Sequence, residues 1–267
     1  MQAYQNEELK SLTRYRFDIV NQRSKLKQSL SRLITLLVPE LESVVSTVHS
    51  NSIYAMLLKY PSAKDVGKSQ FHSLVNLLES TSRGKIDKDK AKEIRNLARK
   101  SVGVYVSAKV LELRHTIKLI QILDDEIAEI EENIESHMQE IHSPIESIPG
   151  ISFRLAAVIE SEIGDFRRFS SPNKILAFAG LSPSTYQSGK FTSQNATMEK
   201  RGSRYLRYAL LLAAHLVGKY SKTFASYLKK KRDEGKHYFV ALSHVAKKLV
   251  RVIFHLQRTG ESFLDFT

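Results

Sequence analysis

A net charge of +13 on 267 residues, with 42% hydrophobic and 26% charged side chains, describes a chain able to bury a core and still show a strongly basic surface. With no cysteine, disulfide scaffolds and thiolate chemistry are excluded. No apolar run approaches the ~20 residues of a membrane-spanning helix, and the polar, acidic stretch Met1 to Lys10 does not read as a secretory leader.

The charge is uneven. Residues 144–267 hold twenty Lys and Arg against nine Asp and Glu, whereas residues 1–143 are nearly balanced at twenty-one against nineteen. The second half is therefore expected to meet a polyanion, with a merely solvated basic surface as the competing reading.

In chain order, Leu12, Tyr15, Ile19, Leu26, Leu30, Leu33 and Leu37 recur at helical spacing, which predicts one long helix ending before Pro39. Val106, Val110, Leu113, Ile117, Ile120, Ile127, Ile130 and Ile134 predict a second, with Asp124 to Glu135 as a carboxylate-rich face suited to solvent or to a pairing partner. Two such helices can fold back as an antiparallel hairpin or coiled coil, or pair with another copy. Between Pro61 and Lys100 shorter helices are expected, with a turn at Thr81-Ser82-Arg83-Gly84 and a helix capped by Asp87. Their lysines could touch nucleic acid, but a solvated face is the favoured reading.

After a linker at Ser143-Pro144, Ile148-Pro149-Gly150-Ile151 resembles the turn of a helix-hairpin-helix, in which Gly150 would offer its N–H to a phosphate. Ser152 stands where a second glycine is usual, so a plain tight turn is the alternative. A helix from Ser170-Ser171-Pro172 runs to Gly180, Ser182 to Asn195 reads as an exposed loop, and further helices start at Ser203 and after Gly235. There is no strong alternating run. The fold class is mainly α, with residues 1–142 as a helical hairpin carrying an inserted cap (about 60–103) and residues 143–267 as a compact helical domain.

Gly180-Leu181-Ser182-Pro183, Gln187-Ser188-Gly189-Lys190 and Lys200-Arg201-Gly202-Ser203-Arg204-Tyr205-Leu206-Arg207 carry the chemistry. A hydroxyl held near guanidinium groups suits a phosphodiester, because Arg matches phosphate oxygens with a planar fork of donors. Arg201, Arg204 and Arg207 at i, i+3 and i+6 would share a helix face, with Lys190, Lys200 and Gly189 nearby as further backbone contacts. Ser182, Ser184 and Ser203 rival Ser188 as the reacting hydroxyl, and Ser203 also suits a helix N-cap. Tyr205, Tyr208 and Tyr220 could stack bases, but aromatic residues at helical spacing are more often core. His237, His244 and His255 lack ligand partners at diagnostic spacing, so no metal ligand is assigned.

These motifs, together with Leu12-Thr13-Arg14-Tyr15-Arg16, Ile148-Pro149-Gly150-Ile151, Phe169, Lys174 and Ala177, resemble the transposases of the IS110 family of bacterial insertion sequences. The resemblance implies a DNA recombinase in which a serine, here Ser188, attacks a DNA phosphate. It also implies DNA as partner, a structured guide RNA, a homo-oligomer, and a cytoplasmic, nucleoid-associated location. Family members add an N-terminal nuclease domain whose four carboxylates hold Mg²⁺. The present chain starts where that domain should end, so the expectation is a truncated transposase with no cofactor of its own, inactive alone. The alternative is a non-catalytic nucleic-acid-binding or dimerisation module.

Overall fold

The computed structural model describes residues 3–182 and 198–265, with the backbone of 187–188 and 191–192 between them. The chain is mainly α. The long helices α1 (Ala3–Leu37) and α7 (Ser107–Ile141) each contribute to two compact units, residues 18–128 and residues 1–17 with 129–267.

In the unit of residues 18–128, α1 and α7 are joined by α2 (Leu41–Val44), α3 (Asn51–Lys59), α4 (Ala63–Lys68), α5 (Phe71–Ser82) and α6 (Lys88–Arg99). The helix starts follow capping chemistry. The side chains of Ser50, Ser62 and Asp87 accept the N–H groups of Ile53, Asp65 and Lys90. Ser62 also donates to the Asp65 carboxylate at 2.6 Å, closing a reciprocal pair. Leu30, Ile34 and Leu37 of α1 share one core with Leu113, Ile117 and Ile120 of α7 and with Ile53, Leu57, Leu74 and Leu78. Arg23 reaches Asp124 at 2.5 Å, so part of the carboxylate face of α7 pairs with α1. On α6, Ala91, Ile94 and Ala98 face inward while Lys88, Lys92 and Lys100 are exposed.

The second unit contains residues 1–17 of α1, the end of α7, and α8 (Phe153–Ile163), α9 (Pro172–Phe178), α10 (Arg204–Tyr220), α11 (Lys222–Asp233) and α12 (Tyr238–Thr259). Single 3₁₀ turns lie at Pro144–Ser147 and Phe166–Arg168. Helix α10 is central and packs against α8, α11 and α12. Its Ala209, Ala213 and Ala214 are fully buried, and such small side chains bring the neighbouring helices close. Here too α1 and α7 are bridged, by Arg16 to Glu131 at 2.5 Å. Ser221 caps α11, and Asp265 accepts the N–H groups of Lys222 (2.9 Å) and Thr223 (3.0 Å), tying a late residue to that helix start. The two-residue strands β1 (Gln187–Ser188) and β2 (Phe191–Thr192) pair antiparallel.

Candidate nucleic-acid interface

The site is built where α9 ends and α10 begins. Residues 178–182 and 199–203 run alongside one another. Glu199 N–H donates to Ser182 O at 3.1 Å, Lys200 N–H to Gly180 O at 3.3 Å, and Ser203 N–H to Phe178 O at 3.1 Å. These two stems flank residues 183–197. Their approach needs two glycines. Gly202 has φ +112°, and a Cβ there would lie 2.1 Å from Phe178 O. A Cβ on Gly180 (φ +68°) would lie 2.3 Å from Arg201 O. Ser188 has its backbone in β1, but its side chain lies outside the described residues, as do Gly189, Lys190, the rival Ser184 and most of the loop expected over 182–195.

The cations expected on one helix face divide into two kinds. Helix α10 begins at Arg204, capped by Ser203, so Arg201 precedes the helix and the i, i+3, i+6 stripe is not formed. Lys200 and Arg201 are exposed beside the glycine crossing, and Arg204 is exposed with its guanidinium 4.7 Å from the Tyr205 ring. Arg207 is half-buried and acts as a brace: its Nη1 donates to Ala179 O (3.1 Å) and Lys200 O (3.0 Å), one carbonyl from each stem. Of the rival serines, Ser203 is committed to structure. Its hydroxyl accepts from Leu206 N–H at 3.1 Å and donates to Glu162 Oε2 at 2.6 Å.

Gly150 is not brought to this cluster. With φ +94°, a Cβ there would sit 3.0 Å from the Leu216 carbonyl, so the Ile148–Ile151 turn presses on the α10 main chain. Leu216 is three turns beyond Arg204, about 18 Å along the helix. The tyrosines also depart from the core reading, since Tyr208 is 53% and Tyr220 57% exposed. Tyr205 and Tyr208 both meet the Phe17 ring edge-on, at 5.1 and 5.2 Å, because the head of α1 lies against α10.

Two residues that the sequence reading passed over help to hold the site. The Glu162 side chain is 1% exposed and takes a two-pronged contact from Arg14, Nε to Oε1 at 2.6 Å and Nη2 to Oε2 at 3.1 Å, besides the Ser203 hydroxyl. Burial opposes its charge, yet these hydrogen bonds and the Arg14 and Lys10 charges outweigh burial and hold the carboxyl below its ordinary range. Arg168, exposed at the end of a 3₁₀ turn, lies over Phe169 (4.7 Å) and Phe178 (5.0 Å), so two rings fix a guanidinium next to the α9 stem. Its signal in the sequence is the Arg-Phe pair at 168–169.

Glu160, one turn-face away on α8, behaves oppositely. Burial pushes its carboxyl up, against hydrogen bonds from Ser143 and Gln257. Both glutamates line a groove of about 740 Å³ with Lys10, Arg167 and Arg168 at its rim. Among the described residues no group of three or more His, Asp or Glu is placed to hold a metal ion. With Glu162 spent on Arg14 and Ser203, and Glu160 on Ser143 and Gln257, these two carboxylates do not fit a Mg²⁺ ion, which the family resemblance places on the nuclease domain. No helix among the described residues is long and apolar enough to cross a membrane.

Residues 142–229, which include the whole crossing, match the family model of the IS116/IS110/IS902 transposases. The chain is 25% identical over 267 residues to an uncharacterized 44.8 kDa protein of insertion element IS116 from Streptomyces clavuligerus, covering 96% of this chain and 64% of that protein. It is 31% identical over 134 residues to an uncharacterized 43.6 kDa protein of insertion element IS110 from Streptomyces coelicolor, covering 50% of this chain and 32% of that one. A pilin gene-inverting protein of Moraxella bovis is 26% identical over 166 residues, 61% of this chain and 51% of the relative. The chain thus spans less than two thirds of the length of these curated relatives. Residues 142–229 thus match the IS116/IS110/IS902 transposase domain, and the chain is similar to proteins of insertion elements IS116 and IS110.

Proposed function

We propose that this chain binds DNA through the cations at the start of α10 and presents Ser188 as the nucleophile of a strand-exchange reaction. The observation that supports this is the glycine crossing. It ties both stems of the serine-bearing segment to the exposed Lys200, Arg201 and Arg204. In the step itself, Ser188 Oγ would bond to phosphorus while one phosphorus–oxygen bond to deoxyribose breaks. The hydroxyl proton leaves with a base, and the departing sugar oxygen takes up a proton. Lys200, Arg201 and Arg204 would hold the non-bridging oxygens as their negative charge grows. Arg168 belongs to the same phosphate track, and Lys190, outside the described residues, would add a further phosphate contact. Arg207 contributes by keeping the stems together, and Gly150 would contact DNA only as a separate point along α10. The guide RNA, self-association and a location with the chromosome belong to this same reading.

Fluorescence anisotropy with labelled duplex DNA across a salt series tests the binding half. Arg201→Ala with Arg204→Ala should lower affinity and reduce the slope of log K against log salt by roughly 1.8, about 0.9 per lost phosphate contact. An unchanged slope would remove these cations from the interface. For the chemistry, with the nuclease domain of a full-length relative and Mg²⁺ supplied in trans, a nicked substrate that traps the intermediate should yield a DNA adduct mapping to Ser188 by mass spectrometry. It should be absent in Ser188→Ala and retained in Ser182→Ala; an adduct on any other residue refutes the assignment.

A further inference from the structure

The link between α11 and α12 carries an aromatic feature that the phosphate track does not use. Phe239, in the first turn of α12, is 68% exposed, and Val240 beside it is 49% exposed. A single exposed apolar side chain is ordinary, but this one is built into a platform. The His237 ring, itself exposed, lies 5.7 Å from the Phe239 ring with only 35° between their planes. Tyr238 braces the pair edge-on at 5.5 Å, and its hydroxyl meets His215 Nδ1 at 2.7 Å.

The surroundings are cationic. Residues 229–248 hold seven Lys and Arg against two carboxylates. One of those, Glu234, is taken by Lys231 at 2.8 Å and Lys236 at 2.6 Å. Lys229, Lys230 and Arg232 are exposed on the last turns of α11. The field reaches into α12, where burial first, and then Lys247, Lys231 and Lys236, keep His244 from protonating in its ordinary range.

We infer that Phe239, with His237 beside it and Lys229, Lys230, Arg232 and Lys236 leading up to it, is a stacking platform for the unpaired bases of single-stranded DNA. An exposed ring offers its face to any base that is not already stacked, and neighbouring cations hold the backbone that carries it. In a duplex the base faces are covered, so the platform discriminates single strands from duplex without reading sequence. The inference rests on the reading that this chain handles DNA, since strand exchange separates paired strands and creates such bases.

The chain contains no tryptophan, so Phe239→Trp introduces the only one. In the full chain, a short single-stranded DNA should quench its emission, while the same strand annealed to its complement quenches it far less. Phe239→Ala should weaken single-strand binding roughly tenfold and collapse the ratio of single-strand to duplex affinity, with unchanged circular dichroism. Single-strand binding seen by anisotropy without quenching overturns the platform. So does preference for the matching RNA strand, or equal quenching by an acidic polypeptide. If duplex binding depends on Arg201 and Arg204 but Phe239→Ala leaves the ratio intact, the platform alone falls. If no nucleic acid binds any variant, the DNA-binding proposal falls with it.

Discussion

Glu162→Gln keeps the shape of a buried side chain and removes its charge. In the native protein the carboxylate receives two hydrogen bonds from Arg14, at 2.6 and 3.1 Å, and one from Ser203 at 2.6 Å. A charge stranded in a dry interior costs about 3–5 kcal/mol. The Arg14 side chain is 43% exposed, so it can turn to water and the loss is smaller. Two weakened charge-assisted bonds then amount to about 2–3 kcal/mol, a drop in Tm of roughly 5–10 °C for a unit of this size. The pH dependence fixes the cause. Because the folded state holds this carboxyl below its ordinary range, its stabilisation is complete above the unfolded value near pH 4.3 and is lost as pH falls through the depressed folded value. Thermal melts followed by far-ultraviolet circular dichroism should show the full gap between the proteins at pH 7 and a narrowing gap below about pH 4. A gap of the same size at pH 3 and pH 7 would mean that packing, not charge, is what the substitution disturbs.

Glu160→Gln, two residues away, should act in the opposite sense. Burial raises the Glu160 carboxyl, so its charged form is a burden near neutral pH. The variant should melt higher at pH 7 and lose that advantage as the pH drops to the unfolded carboxyl range; a lower melting temperature at pH 7 contradicts the reasoning. Gly202→Ala would place a methyl 2.1 Å from Phe178 O at φ +112°. It should lower stability by roughly 2–3 kcal/mol and weaken DNA binding although every cation is kept. An unshifted urea midpoint would show that the stems do not need this approach.

Much of the helical framework was legible because its signals are local. The seven apolar positions from Leu12 to Leu37 fall on one face of α1, which ends before Pro39, and Asp87 caps α6. Residues 41–59 gave no such signal, since α2 and α3 are too short for periodicity to stand out, yet they fill the core with Leu41, Ile53, Met56 and Leu57. The arginine stripe was misread although the correcting clue was present. Ser203 as an N-cap sets the helix start at Arg204 and leaves Arg201 outside it. Glu162 was illegible in a stronger sense. A carboxylate on an apolar helix has no periodic signature, and its partner Arg14 lies 148 residues away.

The Arg14–Glu162–Ser203 chain has an electrostatic consequence for the proposed interface. A carboxylate hydrogen-bonded to the N-cap of α10 sits one residue from Arg204, where it would repel an approaching phosphate. Its attraction to the helix start favours the fold, but uncompensated it would oppose the binding. Arg14 resolves the conflict by cancelling the charge from the side of α1, while Lys200, Arg201 and Arg204 remain exposed. The head of α1 would therefore serve the proposed phosphate site as well as the long helix. Residues 1–17 pack in one unit with residues 129–267, and Phe17 meets both Tyr205 and Tyr208. A carboxylate accepts from the N-cap of the helix, an arginine from the far end of the sequence silences it, and the glycine crossing holds the exposed cations where a phosphate would reach them.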